Sequence, residues 1–234
     1  MSRQKMIIDV ETSGFDFDSL DEVSREQLTR YFERYAKDNE ELEESKDKLG
    51  FWPLTGEIVA IGCLNPDSNK GVIYVQSSDK KLPTEVAPGI ALERGTEAEI
   101  LKKFWSAAEH YSTFITFNGR QFDAPFLMIR SAINEIRPSK NLLTNRYVSS
   151  QDWSAIHIDL ADQLTFYGAS RRNFSLHFWA KAFGFDSPKE AGVTGDDVKA
   201  LYRAGKVLDI AKYNLGDLYA TKSLYEKWSA YLNF

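Results

Sequence analysis

Hydrophobic and polar residues follow two different periods along the chain, and these periods separate predicted strands from predicted helices. Five runs rich in β-branched and aromatic residues are predicted as strands. They span residues 6–12, 57–64, 71–76, 113–117 and 153–160. The second and third runs are joined by Asn-Pro-Asp-Ser-Asn-Lys, which has the composition of a turn. We therefore expect the first three strands to form an antiparallel meander, with two further strands beyond them.

Helical spacing of apolar residues covers much of the remaining chain. Thr96 is a suitable N-cap for one helix, and Pro125 suits the first turn of a second. Three more helices are predicted over 174–183, 194–203 and 208–232. The Pro- and Gly-containing stretch 80–95 is predicted as a loop. The predicted fold class is α/β, with a five-stranded mixed sheet in the order 3-2-1-4-5 flanked by helices, in a single domain over 1–234.

Residues 15–50 interrupt this pattern between the first and second strands. From Leu20, apolar residues recur at near-helical spacing, and residues 38–48 are then crowded with Glu, Asp and Lys. This pattern predicts an inserted amphipathic helix with a charged end. A solvated insertion is the simpler interpretation, and the functional alternative is a flap or a protein-partner surface beside a binding site. The acidic excess argues against direct binding to phosphates.

The first predicted strand ends in acidic residues. Asp9 and Glu11 are two residues apart, so their side chains point to the same face of the strand. Neighbouring carboxylates resist joint ionisation unless a cation lies between them, and Mg²⁺ and Mn²⁺ are hard divalent cations that carboxylates bind. The alternative is a solvated strand end that leads into a turn at Gly14.

Three further candidate residues follow later in the chain. Asp123 opens the helix after the fourth strand, and Tyr213 and Asp217 are four residues apart on one face of the last helix. The ends of adjacent strands in an open α/β sheet converge on one crevice. Four carboxylates collected there could hold two divalent metal ions for an in-line phosphoryl displacement, with Tyr213 beside the attacking water.

Three segments carry these residues: Asp9-Val10-Glu11-Thr12, Asn118-Gly119-Arg120-Gln121-Phe122-Asp123 and Tyr213-Asn214-Leu215-Gly216-Asp217. In this order and spacing they resemble the three exonuclease motifs of the DEDD superfamily, whose members have a ribonuclease H-like fold. The third segment is similar to the tyrosine-containing, or DEDDy, branch, since Lys212 occupies the position where the other branch has His. The second segment is similar to the proofreading exonuclease domain of family B DNA polymerases and to stand-alone exonucleases related to it.

The resemblance implies a role for each matched residue. Four carboxylates would be the ligands of two metal ions, Mg²⁺ or Mn²⁺, and Tyr213 would position the nucleophilic water. The implied ligands are Asp9, Glu11, Asp123 and Asp217. Thr12, Asn118 and Phe122 would contact the terminal nucleotides, and an aromatic ring there can stack on any base.

Three other polar residues have both a functional and a simpler interpretation. Arg171 and Arg172 precede a predicted helix and are candidate phosphate contacts, although an exposed loop with two arginines is common. Asp159 ends the fifth predicted strand. A helix cap is the simpler interpretation of this aspartate, and a supporting role behind the metal ligands is the alternative.

The amino-acid composition limits the kinds of nucleic acid, disulfide and metal site that we expect. The net charge of -5 leaves no broad basic surface for long duplexes, so any contact with nucleic acid should be short and local. Cys63 is the only cysteine, which excludes a disulfide within the chain and a cysteine-based zinc site. The first residues lead directly into a strand without an apolar signal segment, and no membrane span is expected, so we expect a cytoplasmic location.

The expected function is metal-dependent 3′-to-5′ exonuclease action on single-stranded DNA ends, with release of nucleoside monophosphates. Two alternatives stay open. One is a 3′-to-5′ exoribonuclease, because these residues do not reveal whether the site accepts a 2′-hydroxyl. The other is a catalytically silent nucleic-acid-binding module with the same fold.

Overall fold

A mixed β-sheet forms the centre of the computed structural model, which describes residues 4–171, 174–186 and 194–233. The strands in these ranges are β1 (Lys5–Gly14), β2 (Gly56–Leu64), β3 (Gly71–Gln76), β4 (Glu85–Ala87), β5 (Ile90–Gly95), β6 (Thr113–Thr116) and β7 (Ile156–Asp159). They form a seven-stranded sheet in the order β4-β5-β3-β2-β1-β6-β7. The α/β class and the order of the five predicted strands are confirmed, since they correspond to β3-β2-β1-β6-β7.

The sheet has two more strands than predicted, and both lie in the stretch 80–95, where the prediction of a loop is wrong. β4 and β5 form a hairpin in which Gly89 has a φ of 79°. β5 then pairs in parallel with β3. Ile90 and Leu92 lie on one face of β5 and are buried in the core. This apolar alternation is short and is flanked by Pro and Gly, so composition favoured a loop.

β1 has different partners along its length. It is antiparallel to β2 from Ile7 to Gly14, but it pairs with the parallel strand β6 only over its first residues, from Lys5 to Ile7. The second half of β1 therefore runs beyond the paired part of β6. The acidic residues identified in the sequence lie on that second half.

Eight α-helices accompany the sheet within the described ranges. They are α1 (Glu22–Glu33), α2 (Asn39–Asp47), α3 (Glu97–Ala108), α4 (Asp123–Ile133), α5 (Leu160–Leu164), α6 (Leu176–Ala182), α7 (Val198–Arg203) and α8 (Val207–Tyr231). α3 begins with the capping box of Thr96 and Glu99, as expected of a Thr N-cap. None of the helices in these ranges is both long and apolar enough to cross a bilayer.

Two hydrophobic cores lie on opposite sides of β1. Ile7 belongs to the core that contains α8, and its neighbour Ile8 belongs to the core that contains α3 and α4. Adjacent strand residues point to opposite faces, so the alternation of β1 assigns one helical layer to each face of the sheet. The central strands are consequently buried on both sides.

The insertion 15–50 contains two helices, α1 and α2, where one was predicted. The break between them is marked by a second N-cap: the Asp38 side chain accepts a hydrogen bond from the backbone N–H of Glu41 and so begins α2, as Asp21 does for α1 with the N–H of Ser24. The two ends of the insertion meet, since a Cβ on Gly14 would lie 2.6 Å from the backbone nitrogen of Gly50. The insertion is therefore closed at its base, directly beside the end of β1.

Candidate active site

Acidic residues from opposite ends of the chain meet at the second half of β1. One carboxylate oxygen from each of Asp9, Glu11 and Asp217 lies within 4.8 Å of the others. Opposite the first two, β2 carries only Gly62 and Ala60, which leaves room for the side chains of α8. The structure thus brings together three of the four carboxylates that were expected to be metal ligands.

The fourth carboxylate, Asp123, is fixed to the same strand by a hydrogen bond. Its Oδ1 accepts from the backbone N–H of Val10 at 2.8 Å, and its side chain is buried. This N–H lies beyond the part of β1 that pairs with β6, so the first residue of α4 satisfies it. Asp123 therefore joins the start of α4 to β1, next to the other three carboxylates.

A buried ion pair holds α4 in this place. Arg130 donates to Glu97 through Nε at 2.8 Å and through Nη2 at 2.7 Å. The backbone N–H of Ile58 on β2 donates to the same carboxylate at 2.8 Å. Because both charges are withdrawn from water and fully paired, loss of one partner would leave the other buried and uncompensated.

Asn214 connects the last helix to the first strand, and the sequence analysis assigned it no role. It is fully buried, and its Nδ2 donates to Asp9 Oδ2 at 2.7 Å and to the backbone oxygen of Asp9 at 3.2 Å. A Cβ at Gly62 would overlap the amide oxygen of Asn214, so the glycine permits this close approach. An isolated glycine in an apolar strand is the sequence signal of such an approach.

Ionisation of the carboxylates is opposed by their burial and by their closeness to one another. Burial raises the pKa of Asp9 and of Glu11 well above the ordinary carboxyl range, and the neighbouring carboxylate of Asp217 raises both further. Burial also raises the pKa of Asp123 to about 7. Glu11 Oε1 is buried without a hydrogen-bond partner. Carboxylate oxygens that repel one another, one of which has no hydrogen-bond partner, fit a hard divalent cation.

Tyr213 lies one helical turn before Asp217 on α8 and lines the same site. Burial raises the pKa of its hydroxyl above the ordinary tyrosine value, with Asp217 as the next cause. The phenol therefore stays protonated at neutral pH. Tyr213, Glu11, Phe122 and Phe51 line a groove of about 790 Å³ that opens onto the carboxylates.

The residues expected to contact nucleic acid have separate environments. The Thr12 hydroxyl donates to the Gly50 backbone oxygen at 2.7 Å, so it closes the base of the insertion. Phe122 packs against Phe126, with ring centroids 5.0 Å apart, and is partly exposed. Arg171 lines a second cavity of about 280 Å³, whereas Arg172 lies outside the described residues.

Asn118 and Asp159 are hydrogen-bonded to each other and both line that second cavity. Asp159 caps α5 by accepting from Ala161 N–H, as the simpler interpretation predicted. Its two oxygens also accept from the backbone N–H groups of Asn118 and Arg120 at 2.8 and 2.9 Å. Asn118 has a φ of 61°, in the left-handed region. Asp159 therefore supports the turn that leads into α4.

Comparison with known proteins finds one family of predicted exonucleases and two DNA polymerases that are similar to this chain. Residues 51–232 match the model of a family described as predicted 3′-5′ exonucleases related to the exonuclease domain of PolB. β1 and the insertion 15–50 precede the matched residues. The match includes Asp123, Tyr213 and Asp217.

Two DNA polymerases are among the individual proteins that are similar to the chain. DNA polymerase 1 of Saccharolobus solfataricus is 26% identical over 174 residues, which cover 71% of this chain and 19% of that protein. The solved family B DNA polymerase of Pyrobaculum calidifontis has the same fold over 98% of this chain and 25% of that chain, with a TM-score of 0.59 and 15% identity. The chain thus spans about a fifth to a quarter of the length of these polymerases.

Proposed function

The chain belongs to the family of predicted 3′-5′ exonucleases related to the exonuclease domain of PolB, and from this premise we propose that it is a metal-dependent 3′-to-5′ exonuclease. The proposed substrate is the 3′ end of single-stranded DNA, and the proposed product is a nucleoside monophosphate. DNA is preferred to RNA because both similar proteins are DNA polymerases.

One observation carries the proposal: Asp9 and Glu11 of β1 lie with Asp217 of α8 in a cluster whose oxygens are within 4.8 Å of one another. With Asp123 beside them, these residues would hold two Mg²⁺ or Mn²⁺ ions. Such ions would supply an activated water and stabilise the charge on the scissile phosphate. The raised pKa values and the unpartnered Glu11 oxygen support this role, because a cation would relieve both.

The other side chains of the site would position the reactants. Tyr213 keeps its proton and can donate a hydrogen bond to an oxygen of the attacking water or of the phosphate. Asn214 holds the Asp9 carboxylate in one orientation through its 2.7 Å hydrogen bond. Phe122 and Phe51 offer rings beside the carboxylates, where a terminal base could stack regardless of its identity.

A cleavage time course tests the proposal. Single-stranded DNA and RNA of the same sequence, labelled at the 5′ end, are incubated with Mn²⁺ or with chelator. The proteins compared are the wild type, Asp9→Ala and the control Asp67→Ala, which removes an exposed aspartate from the 65–70 turn. We expect a ladder that shortens from the 3′ end of DNA and that needs both Mn²⁺ and Asp9.

Other results would change the proposal in defined ways. A preference for the RNA strand would replace the substrate and keep the mechanism. Full activity of Asp9→Ala would remove the ligand assignment. If the wild type cuts neither strand although it unfolds cooperatively, the exonuclease proposal is wrong.

A further inference from the structure

The groove that opens onto the carboxylates has two walls from distant parts of the chain. Glu44, Asp47 and Lys48, from the end of the insertion, line one wall, and Lys199 and Arg203 of α7 line the other. Glu11 and Tyr213 lie at the same groove. Any nucleotide that reaches the carboxylates through this groove passes between the insertion and α7.

Among the described residues, each lysine or arginine that lines this groove is paired with an acidic residue of the insertion. Lys199 Nζ lies 2.9 Å from Asp47 Oδ1, and Arg203 Nη2 lies 3.5 Å from Asp16 Oδ2. The third cation, Lys48, lies 3.8 Å from Glu44 within the insertion itself. The first two pairs cross the groove and join the insertion to α7.

The partners in these two pairs differ in exposure. The Lys199 side chain is only 18% exposed, whereas that of Asp47 is 83% exposed; the Arg203 and Asp16 side chains are 51% and 63% exposed. Lys199 is thus held at the groove by α7, while Asp47 can turn into water. Exposed pairs of this kind are weak, so a phosphate can replace the carboxylate.

The insertion carries the excess negative charge of the chain. Residues 15–50 contain twelve acidic and six basic side chains, a net charge of -6, against -5 for the whole chain. The rest of the chain is therefore close to neutral, and the insertion contributes the repulsion that a polyanion meets at this groove.

We propose, on the basis of the function proposed above, that Lys199 and Arg203 bind nucleotide phosphates in the groove and that Asp47 and Asp16 of the insertion occupy these cations when no nucleotide is bound. The carboxylates compete with phosphate for the same two side chains. The insertion then acts as an electrostatic gate that nucleic acid opens by exchange of ion pairs. The phosphates are those of the strand backbone or that of the released monophosphate.

Strand binding tests this gate without cleavage. The affinity of 5′-labelled oligothymidylate is measured by fluorescence anisotropy with Mg²⁺ in the Asp9→Ala background. Asp16→Asn with Asp47→Asn should tighten binding about three- to tenfold, because it frees both cations from exposed pairs. Lys199→Gln with Arg203→Gln should weaken binding about tenfold and reduce the salt dependence, by about 0.7 in the logarithmic slope for each lost phosphate contact.

A matched control separates the gate from overall charge. Glu26→Gln with Glu43→Gln also removes two negative charges from the insertion, but these residues pair with Arg30 and Lys46 of the insertion itself. This control should leave the affinity unchanged within about twofold. If the control binds the strand as much more tightly as the Asp16/Asp47 variant does, net charge alone determines the affinity and the gate is wrong. Unchanged affinity in the Lys199/Arg203 variant would remove the phosphate site.

Competition with thymidine 5′-monophosphate identifies the source of the phosphate. If the Lys199/Arg203 variant loses affinity for the monophosphate, these cations hold the released nucleotide; if it loses affinity only for the strand, they hold the strand backbone. Either result supports the site. If the wild type cuts DNA but the Asp16/Asp47 and Lys199/Arg203 variants bind the strand as the wild type does, the gate is wrong and the exonuclease proposal stands. If the paired variants bind the strand with the predicted differences in affinity but the wild type cuts no nucleic acid, the exonuclease proposal is wrong and the gate stands.

Discussion

Gly62 is the position where a single methyl group should disturb the contact between the last helix and the carboxylates of the first strand. A Cβ on this glycine would overlap the amide oxygen of Asn214 and lie 2.7 Å from Leu218 Cδ1. Both neighbours belong to α8 and are fully buried, so neither can move into solvent. The change Gly62→Ala must therefore move α8 away from β2 or turn the Asn214 amide away from Asp9.

The two responses affect stability and activity to different extents. Overpacking of a core costs about 1–3 kcal/mol of unfolding free energy. For a chain of this size, each kcal/mol lowers the Tm by roughly 2–4 °C. Displacement of Asn214 would also remove its 2.7 Å hydrogen bond to Asp9, and a misplacement of about 1 Å in an active site can lower the rate about 100-fold. We expect a moderate loss of stability and a larger loss of kcat/KM.

A double-mutant cycle measures this coupling. Urea unfolding and kcat/KM for a single-stranded substrate are measured for Gly62→Ala, Asn214→Ala and the double variant. Asn214→Ala removes the overlapping amide, so the added methyl group should cost less stability in that background, with an interaction energy of about 0.5–3 kcal/mol. An equal cost in both backgrounds, or normal activity of Gly62→Ala, would refute the coupling.

Three further predictions concern charges and hydroxyls near the site. Without metal, stability should fall as pH rises from the ordinary carboxyl value of 3.8 to about 7, since Asp123 keeps its proton longer when folded than when unfolded. Urea unfolding across this range checks the slope, which Asp123→Asn should make shallower, while Asp9 and Glu11, whose pKa values are also raised, keep part of it; a rising profile would contradict the prediction. Tyr213→Phe should lower kcat up to about 100-fold with little change in Tm, and an unchanged kcat would remove the tyrosine from the mechanism. Glu97→Gln should lower the unfolding free energy by about 3–5 kcal/mol, because Arg130 stays buried and charged; a loss below about 1 kcal/mol would contradict this.

Local sequence pattern was enough to predict the central strands and to single out the residues of the candidate site. Asp9 and Glu11 are separated by one residue on a strand, and Tyr213 and Asp217 by one turn on a helix, so each pair shares a face whatever surrounds it. Asp123 follows a strand end and opens a helix, which also places it at the end of the sheet where the other elements converge. The structure brings the four carboxylates together at β1, as the convergence of element ends predicts.

Features that depend on contacts between distant segments were not predictable in this way. β5 is stabilised by pairing with β3 and by burial of Ile90 and Leu92, and neither cause is visible within its six residues. The role of Asn214 requires both α8 and Gly62 of β2. The pairs of the insertion with Lys199 and Arg203 likewise join residues about 150 or more positions apart.

The most direct test of the central claim is the change in Tm that Mn²⁺ produces in the wild type, in Asp217→Asn and in the exposed control Asp67→Asn. A metal that binds only the folded state stabilises it by about 2.7 kcal/mol at a concentration of 100 times its Kd, or roughly 5–10 °C for a chain of this size. We predict this rise in the wild type and in Asp67→Asn, and its loss in Asp217→Asn, because the cluster needs α8 as well as β1. An equal rise in all three proteins, or no rise in any, would contradict a metal centre built from these carboxylates.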